Sequence, residues 1–280
     1  IISKETFLLL NNIFFIASAL TVLVGTIYPL FSEIFYNSSV SIGAPYYNFA
    51  FNLLMAPIIL LMAFAPQIKW GEHQRKNNQT LYIIFISIVM TAIVHYLLGN
   101  IFFSLSIFIT MPLFIKSFLV FFKKISKDRS FFAQWLAHLS IGLFIVAAVY
   151  TEQFDYEKNI SFEKGDNNEI VLDEDTFLLL ENIKDTDLSN HQKISVDLIV
   201  MENNLKYSLS PSKNIYQPSG QVTNEVSTVN KYFDQYYATI SMIESDKVSI
   251  NLVYKPFINL LWISSILLVF SIFLSIMKRK

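Results

Sequence analysis

The sequence predicts a polytopic α-helical membrane protein that carries a small antiparallel β domain between its last two spans. Two observations predict this fold class. Of the 280 residues, 53% are hydrophobic, and several apolar runs reach the length of about 17–20 residues that crosses a bilayer. The charge is also divided unevenly, since residues 151–255 hold 9 Lys and Arg against 18 Asp and Glu, whereas the remainder holds 12 against 4. The two parts of the chain therefore meet different environments.

Six apolar segments are predicted to cross the membrane as helices, because a lone segment in lipid satisfies its backbone hydrogen bonds only as a helix. The second is short, and Pro57 and Pro66 are expected to interrupt or end it. The predicted domains are a five-helix transmembrane bundle (1–150), a β-rich domain (151–255) and a final helix with a basic tail (256–280). The spans cover approximately residues 7–30, 50–66, 81–98, 101–122, 132–150 and 257–277.

The basic residues predict the orientation. Lys and Arg follow the second span in 67–76 and the fourth in 123–129, and they end the chain, whereas the loop 31–49 has none. Because cytoplasmic loops carry the excess of Lys and Arg, both termini are expected in the cytoplasm, with 31–49 and 151–255 outside. Lys116, inside the fourth span, is expected to extend its amine to the cytoplasmic side.

The segment 151–255 is predicted to form strands joined by hairpins. Short apolar or alternating runs, separated by Asp, Asn, Lys and Gly, are typical of that structure. We expect a small antiparallel barrel or sandwich, with residues 223–233 forming a short helix or an irregular excursion. The predicted strands include 159–162, 169–172, 176–183, 194–201, 237–243 and 248–254.

One histidine lies inside a predicted span, in the run A-Q-W-L-A-H-L-S-I-G at 133–142. Ionisable groups in spans are costly and mark functional sites, and neutral imidazole is a common axial ligand of haem iron. Helical spacing puts Trp135 and Gly142 on the face of His138, and Gly142 is expected to leave room for a flat macrocycle. The alternative is that His138 bonds to a neighbouring helix or reaches the lipid headgroups.

The other polar candidates have simpler interpretations. His95 is expected at the outer membrane interface, and His73 and His191 at solvated surfaces. The run Asp173–Asp175 is interpreted as a charged hairpin turn rather than a cation site. The chain has no cysteine, which excludes a thiol nucleophile and a cysteine metal cluster. No catalytic residue and no nucleic-acid partner are predicted; lipid is the expected surrounding.

The outer loop 41–48, S-I-G-A-P-Y-Y-N, has its own pattern. Gly43 and Pro45 are expected to set a rigid turn, with Tyr46 and Tyr47 as interfacial anchors where the chain re-enters the membrane. A binding surface for a flat ligand or a partner is the alternative.

Several motifs together resemble the CcmF family, the membrane haem lyase subunit of bacterial system I cytochrome c maturation. The resemblance runs from about Gly25 to the C-terminus. It implies covalent attachment of haem to apocytochrome c in the bacterial inner membrane, with 151–255 as a periplasmic docking domain. The motifs are G-T-I-Y-P-L (25–30), S-I-G-A-P-Y-Y-N (41–48), M-A-P (55–57), W-L-A-H-L (135–139) and Y-K-P-F followed by L-L-W (254–262).

The resemblance also implies a cofactor and partners. Two transmembrane histidines of the family ligate a resident haem b, and His138, in an L-A-H-L setting, matches the second. The other ligand would lie before Ile1. Ser140 stands where the family commonly has glycine. Quinol is the implied electron source. The implied partners are apocytochrome c, whose CxxCH supplies the thiols, the haem chaperone and the other lyase subunits.

The chain departs from the family in one respect. The tryptophan-rich haem-binding segment has no counterpart, since the only tryptophans are Trp70, Trp135 and Trp262. No signal peptide is expected, and the sequence is interpreted as a fragment or as one half of a split protein. The alternatives are the sister lyase of nitrite reductase maturation, a non-catalytic assembly scaffold, and a transporter, which the lack of paired broken helices disfavours.

The topology can be tested with reporter fusions. Fusions at Asn37 and Asn190 should report the periplasm, and fusions at Asn77 and Lys127 the cytoplasm, because the basic loops segregate to one side. A cytoplasmic signal from Asn190 would contradict an outer β domain.

Overall fold

The computed structural model describes residues 3–38, 40–64, 78–123, 129–163, 169–173, 176–243 and 247–277. The chain forms two compact units. The first comprises residues 1–149 and 264–280, and the second comprises residues 150–263. The last turn of the fifth helix and the first turn of the sixth thus belong to the same unit as the β domain.

Within the described residues, six helices are each long and apolar enough to cross a membrane, which agrees with the number of predicted spans and supports a multi-pass membrane protein. Ser3 caps the first, accepting a hydrogen bond from the backbone N–H of Thr6. The helices are α1 (Lys4–Tyr36), α2 (Ala44–Phe64), α3 (Asn78–Leu98), α4 (Ile101–Lys123), α5 (Arg129–Phe154) and α6 (Ile258–Ile276).

The first helical hairpin differs from the prediction. The expected loop 31–49 is much shorter, since α1 ends at Tyr36 and α2 begins at Ala44. Pro57 lies within α2 without ending it, while Pro66 lies outside the described residues. Proline is tolerated in membrane helices because neighbouring helices and local adjustments satisfy the freed backbone groups.

The helices α1 and α2 pack through a glycine. A Cβ built on Gly25 would lie 2.7 Å from the Tyr46 ring and 3.0 Å from the Tyr47 ring. The hydroxyl of Tyr46 also donates to the carbonyl of Thr21, at 3.2 Å. Both tyrosines thus lie in the first turn of α2 rather than in a re-entry loop, and their rings pack against α1.

The helices α3 and α4 form a tight antiparallel hairpin. Gly99 adopts a left-handed conformation with φ of 66°, which glycine adopts without strain. The Asn100 side chain then caps α4 by accepting a hydrogen bond from the N–H of Phe103, at 2.9 Å.

In the part of the β domain that the structure describes there are ten strands, and they include all six predicted runs. All pairings between them are antiparallel, as predicted. The strands are β1 (Tyr156–Glu163), β2 (Glu169–Asp173), β3 (Thr176–Asp187), β4 (His191–Glu202), β5 (Leu205–Leu209), β6 (Ser212–Tyr216), β7 (Val222–Glu225), β8 (Ser227–Lys231), β9 (Asp234–Ile243) and β10 (Lys247–Lys255).

Two sheets enclose one apolar core. One has the order β1-β10-β9-β8, and the other has the order β2-β3-β4-β6-β7, with β5 also paired to β4. Alternate side chains of the central strands point inwards, as for Leu198 of β4 and Ile250 of β10. The sheet edges are bridged by Lys158, which donates to the carbonyl of Leu172.

The interpretation of residues 223–233 as a helix or an irregular excursion is wrong. This stretch contains most of β7 and all of β8, and β8 pairs with β9 from Ser227↔Ala238 to Lys231↔Asp234. The residues are mostly polar because these short strands lie at the sheet edges, so their apolar alternation is weak and cross-strand pairing decides the conformation.

The core predicts a difference between two leucines. Leu198→Ala removes a fully buried side chain and should lower the local stability of the β domain by about 2–5 kcal/mol. Leu205→Ala, at an exposed position of β5, should change it by no more than about 0.5 kcal/mol. Hydrogen exchange of the β4 amides in the intact protein measures both, and equal effects would contradict the core assignment.

Candidate functional site

His138 lies on the third turn of α5 and is half-buried. Its side chain has no hydrogen bond or ion pair within the part of the chain that the structure describes. The alternative prediction of an interhelical hydrogen bond therefore finds no support among the described residues. An imidazole without a partner remains available to a ligand.

Two contacts define how α4 and α5 pack around His138. The rings of Phe121 and Trp135 stack with centroids 4.5 Å apart. Seven residues further along α5, Gly142 meets the Phe114 ring, which lies seven residues earlier in α4. The two helices are therefore antiparallel, and the level of His138 falls between these contacts.

The expectation that Gly142 leaves room for a flat macrocycle is wrong for this structure. A Cβ built on Gly142 would lie only 2.7 Å from Cε1 and 2.8 Å from Cζ of Phe114. The glycine thus allows close approach of α4, and an aromatic ring already fills the space beside it. A planar ligand must approach His138 from another direction.

Two polar atoms near this level are buried without a partner among the described residues: Oγ of Ser117 and Nε1 of Trp135. Other buried hydroxyls bond back to their own helix, as Ser87 does to the Ile83 carbonyl at 2.8 Å and Ser140 to the Leu136 carbonyl at 2.7 Å. Helix geometry puts Ser117 close to the level of His138, four residues from Phe121 and three from Phe114. No sequence motif marks Ser117; only the pairing of α4 with α5 reveals it.

Lys116 brings a cation into the first unit. Its side chain is buried, and Nζ lies 5.4 Å from the ring centroid of Phe64, the last residue of α2. An ammonium over an aromatic face is stabilised by the ring quadrupole. The amine thus reaches the end of α2 that the charge pattern predicts to be cytoplasmic.

The other sequence candidates do not join His138. His95 is exposed, with Nδ1 3.4 Å from Oγ of Ser104 across the α3–α4 hairpin. His191 lies at the start of β4, with Nδ1 2.7 Å from Oδ1 of Asn190. His73 lies outside the described residues, as do Glu174 and Asp175, whereas Asp173 ends β2. Within the described ranges, no three His, Asp or Glu side chains form a group that could hold a metal ion.

The arrangement can supply one neutral imidazole in an apolar helical seam, with a hydroxyl and an indole N–H nearby. Imidazole can coordinate the metal of a bound group, and ligating histidines usually hydrogen-bond through their other ring nitrogen. Among the described residues, the arrangement around His138 offers no nucleophile and no acid–base pair.

Known proteins are similar to this sequence over nearly its whole length. It is 25% identical over 277 residues to the cytochrome c-type biogenesis protein CcmF of Escherichia coli, covering 95% of this chain and 42% of that protein. It is 26% identical to CcmF of Haemophilus influenzae, covering 99% and 45%. NrfE of Haemophilus influenzae, also described as a cytochrome c-type biogenesis protein, is 23% identical, covering 100% and 45%. The chain therefore spans less than half the length of these relatives.

A solved structure has the same fold. The protein described as cytochrome c haem lyase CcmF superposes with a TM-score of 0.79 at 17% identity, covering 98% of this chain and 46% of that one. No family model matches the sequence. The predicted resemblance is confirmed, and the chain is homologous to the C-terminal part of CcmF.

The close approach of α4 and α5 can be tested by refilling the glycine. Gly142→Ala should destabilise the protein, because its Cβ collides with the Phe114 ring and overpacking costs about 1–3 kcal/mol. Phe114→Leu combined with Gly142→Ala should recover part of the loss. Thermal unfolding in detergent measures the cycle, and additive effects of the two changes would contradict the contact.

Proposed function

We propose that this homologue of the C-terminal part of CcmF contributes to a haem lyase that attaches haem covalently to apocytochrome c. The observation that carries the proposal is the match to CcmF over 95% of the chain; the resemblance of the W-L-A-H-L run to the family supports including His138. The division into a bundle (1–150), a docking domain (151–255) and a final helix (256–280) belongs to this proposal. So do the inner-membrane location, the cytoplasmic termini and the periplasmic β domain.

His138 is the proposed axial ligand of a resident haem b. The residues present fit that group, since the imidazole is half-buried and without a partner among the described residues. A haem held by His138 would supply a one-electron couple, for which quinol is the proposed donor. No second histidine of the described bundle accompanies His138, because His95 is the only other one and bonds with Ser104. The second ligand is proposed to lie in another part of the lyase, as the family resemblance implies.

Ser117 is the proposed positioning residue for His138. Its Oγ is buried without a partner among the described residues, and it lies near the level of the imidazole. A hydroxyl accepting from the second ring nitrogen would fix the tautomer and the ring orientation, as partners of ligating histidines generally do. The indole N–H of Trp135 is a further donor available to an acceptor atom beside His138.

The β domain is the proposed docking surface for the haem acceptor and partner subunits. Its −9 charge, from 18 acidic and 9 basic residues in 151–255, favours approach of a basic apocytochrome, since complementary charge raises the encounter rate at low salt. The haem chaperone and the other lyase subunits are the further proposed partners.

The sister lyase of nitrite reductase maturation is the second candidate, favoured by the 23% identity to NrfE. It shares the chemistry and differs in the cytochrome served. A scaffold or a transporter would need no haem, so a haem spectrum of the purified complex separates both from the lyase.

The ligand assignment predicts the effect of removing one imidazole. His138→Ala should abolish the low-spin b-type haem signal of the intact complex, because the axial ligand is lost. Added imidazole should restore part of it by entering the vacated coordination position. The measurement is the reduced-minus-oxidised absorption spectrum of purified, folded complex.

Two matched variants control this experiment. His95→Ala removes a histidine bonded only at the α3–α4 hairpin and should leave the signal in place. Ser117→Ala should keep the haem but change its reduction potential, since the second nitrogen loses its proposed partner. An unchanged low-spin signal in folded His138→Ala protein would overturn the assignment.

A further inference from the structure

The hairpin between β8 and β9 presents two aromatic side chains at its tip. Tyr232 is 83% exposed and Phe233 is 49% exposed. The rest of the domain is rich in charge, so two adjacent large apolar side chains at one turn are unexpected. Exposed apolar patches usually mark an interaction site. These two residues, Tyr232 and Phe233, are called the tip, and their exposed apolar surface needs an apolar environment.

The tip is bonded to the beginning of a membrane-spanning helix. The backbone N–H of Asn259, in the first turn of α6, donates to the carbonyl of Phe233 at 2.9 Å. The Asn259 amide donates to the carbonyl of Tyr232 at 3.0 Å. Because α6 crosses the membrane by length and composition from Ile258 onwards, these bonds hold the tip at the level where the helix enters lipid.

The tip is held rigidly. Asp234 accepts from the N–H of Phe257 at 2.9 Å and from the hydroxyl of Tyr254 at 2.6 Å. Burial raises the pKa of Tyr254, so its hydroxyl remains a donor even above the pH at which an ordinary tyrosine ionises. Tyr232 and Phe257 have φ of 51° and 57°, left-handed conformations that non-glycine residues adopt only where their surroundings impose them. The exposure of the tip is thus built into the fold.

The end of α5 lies at the same level. The hydroxyl of Thr151 donates to the carbonyl of Pro256 at 2.7 Å, and the Tyr150 and Phe257 rings meet with centroids 4.8 Å apart. Phe257 in turn lies 6.2 Å from Phe233. Aromatic side chains therefore collect where both helices leave the membrane, as in an interfacial belt, and the tip continues that belt outwards from the helices.

We propose that Tyr232 and Phe233 lie in the interfacial region of the bilayer around α6, so that the β domain rests on the lipid through this tip. The anchor is apolar rather than electrostatic. The neighbouring cation is already paired, with Nζ of Lys231 2.6 Å from Oε1 of Glu202, and Asp234 is occupied by its two donors. Immersion is therefore expected in zwitterionic lipid, without anionic headgroups.

The absence of cysteine allows a direct test with single-cysteine spin labels on the full chain in zwitterionic lipid nanodiscs. The tip label is Phe233→Cys, and the matched control is Leu188→Cys, at 48% exposure. Leu188 lies in the turn after β3, at the end of the β3–β4 hairpin far from the tip. Each of these strands has 12 residues, so at about 3.3 Å per residue Leu188 lies roughly 36 Å along the hairpin from Glu202. Glu202 pairs with Lys231, next to the tip.

Power-saturation EPR with oxygen and with a water-soluble nickel chelate reads the surroundings of each label. The Phe233 label should be protected from nickel and accessible to oxygen, which concentrates in lipid, whereas the Leu188 label should show the reverse. Raising the salt or adding anionic lipid should not change the Phe233 result.

Two outcomes overturn the proposal. Nickel access at Phe233 equal to that at Leu188 places the tip in water, and protection from both reagents places it under protein. Hydrogen exchange of β9 establishes that the labelled domain is folded. If Phe233→Cys disturbs it, the label moves to Tyr232→Cys, which is 83% exposed on the same tip; the same protection from nickel with access to oxygen is then expected, and nickel access equal to that at Leu188 contradicts immersion.

Discussion

The bilayer core offers no hydrogen-bond partners, and this constraint organises the transmembrane unit. Each span satisfies its backbone as a helix, and buried hydroxyls such as Ser87, Thr110 and Ser140 bond back to carbonyls within their own helices. Against that pattern the exceptions become informative. Ser117 and Trp135 each bury a polar atom without a partner among the described residues, and His138 lies between their levels. Burying a polar group without a hydrogen-bond partner costs free energy. A ligand that forms a hydrogen bond with such a group therefore binds more tightly.

The β domain meets the opposite requirement, because its charged surface needs water and the hydrophobic effect must assemble its core. Its two sheets bury one apolar core, while 18 acidic residues in 151–255 keep its surface charged. The first turn of α6 belongs to the same unit as the β domain, so both requirements apply there. Asp234 and Asn259 satisfy the backbone where β9, β10 and α6 converge, and aromatic side chains face outwards. Polar bonds inside and aromatic rings outside are the combination that a membrane interface favours.

The sequence predicted the elements governed by a strong local signal. Apolar length predicted six spans, and alternation predicted the central strands, because both reflect burial along a single segment. Properties set by partners distant in sequence were missed. The edge strands β7 and β8 depend on cross-strand pairing, and the first span was predicted to end at residue 30, whereas α1 continues to Tyr36. His138 was visible as an ionisable residue in a span, but the closure of the Gly142 side by Phe114, and the role proposed for Ser117, arise only from the pairing of α4 with α5.

The proposed lyase role depends most on coordination of haem iron by His138. Electron–nuclear double resonance of the ferric haem in the assembled complex tests this directly when only the histidines of this chain carry ¹⁵N. If His138 is the ligand, one imidazole gives a strongly coupled ¹⁵N signal, which disappears when His138→Gln protein is used and persists with His95→Gln. A haem signal that shows no coupling to ¹⁵N from this chain, or a coupling that survives in His138→Gln, would contradict the assignment.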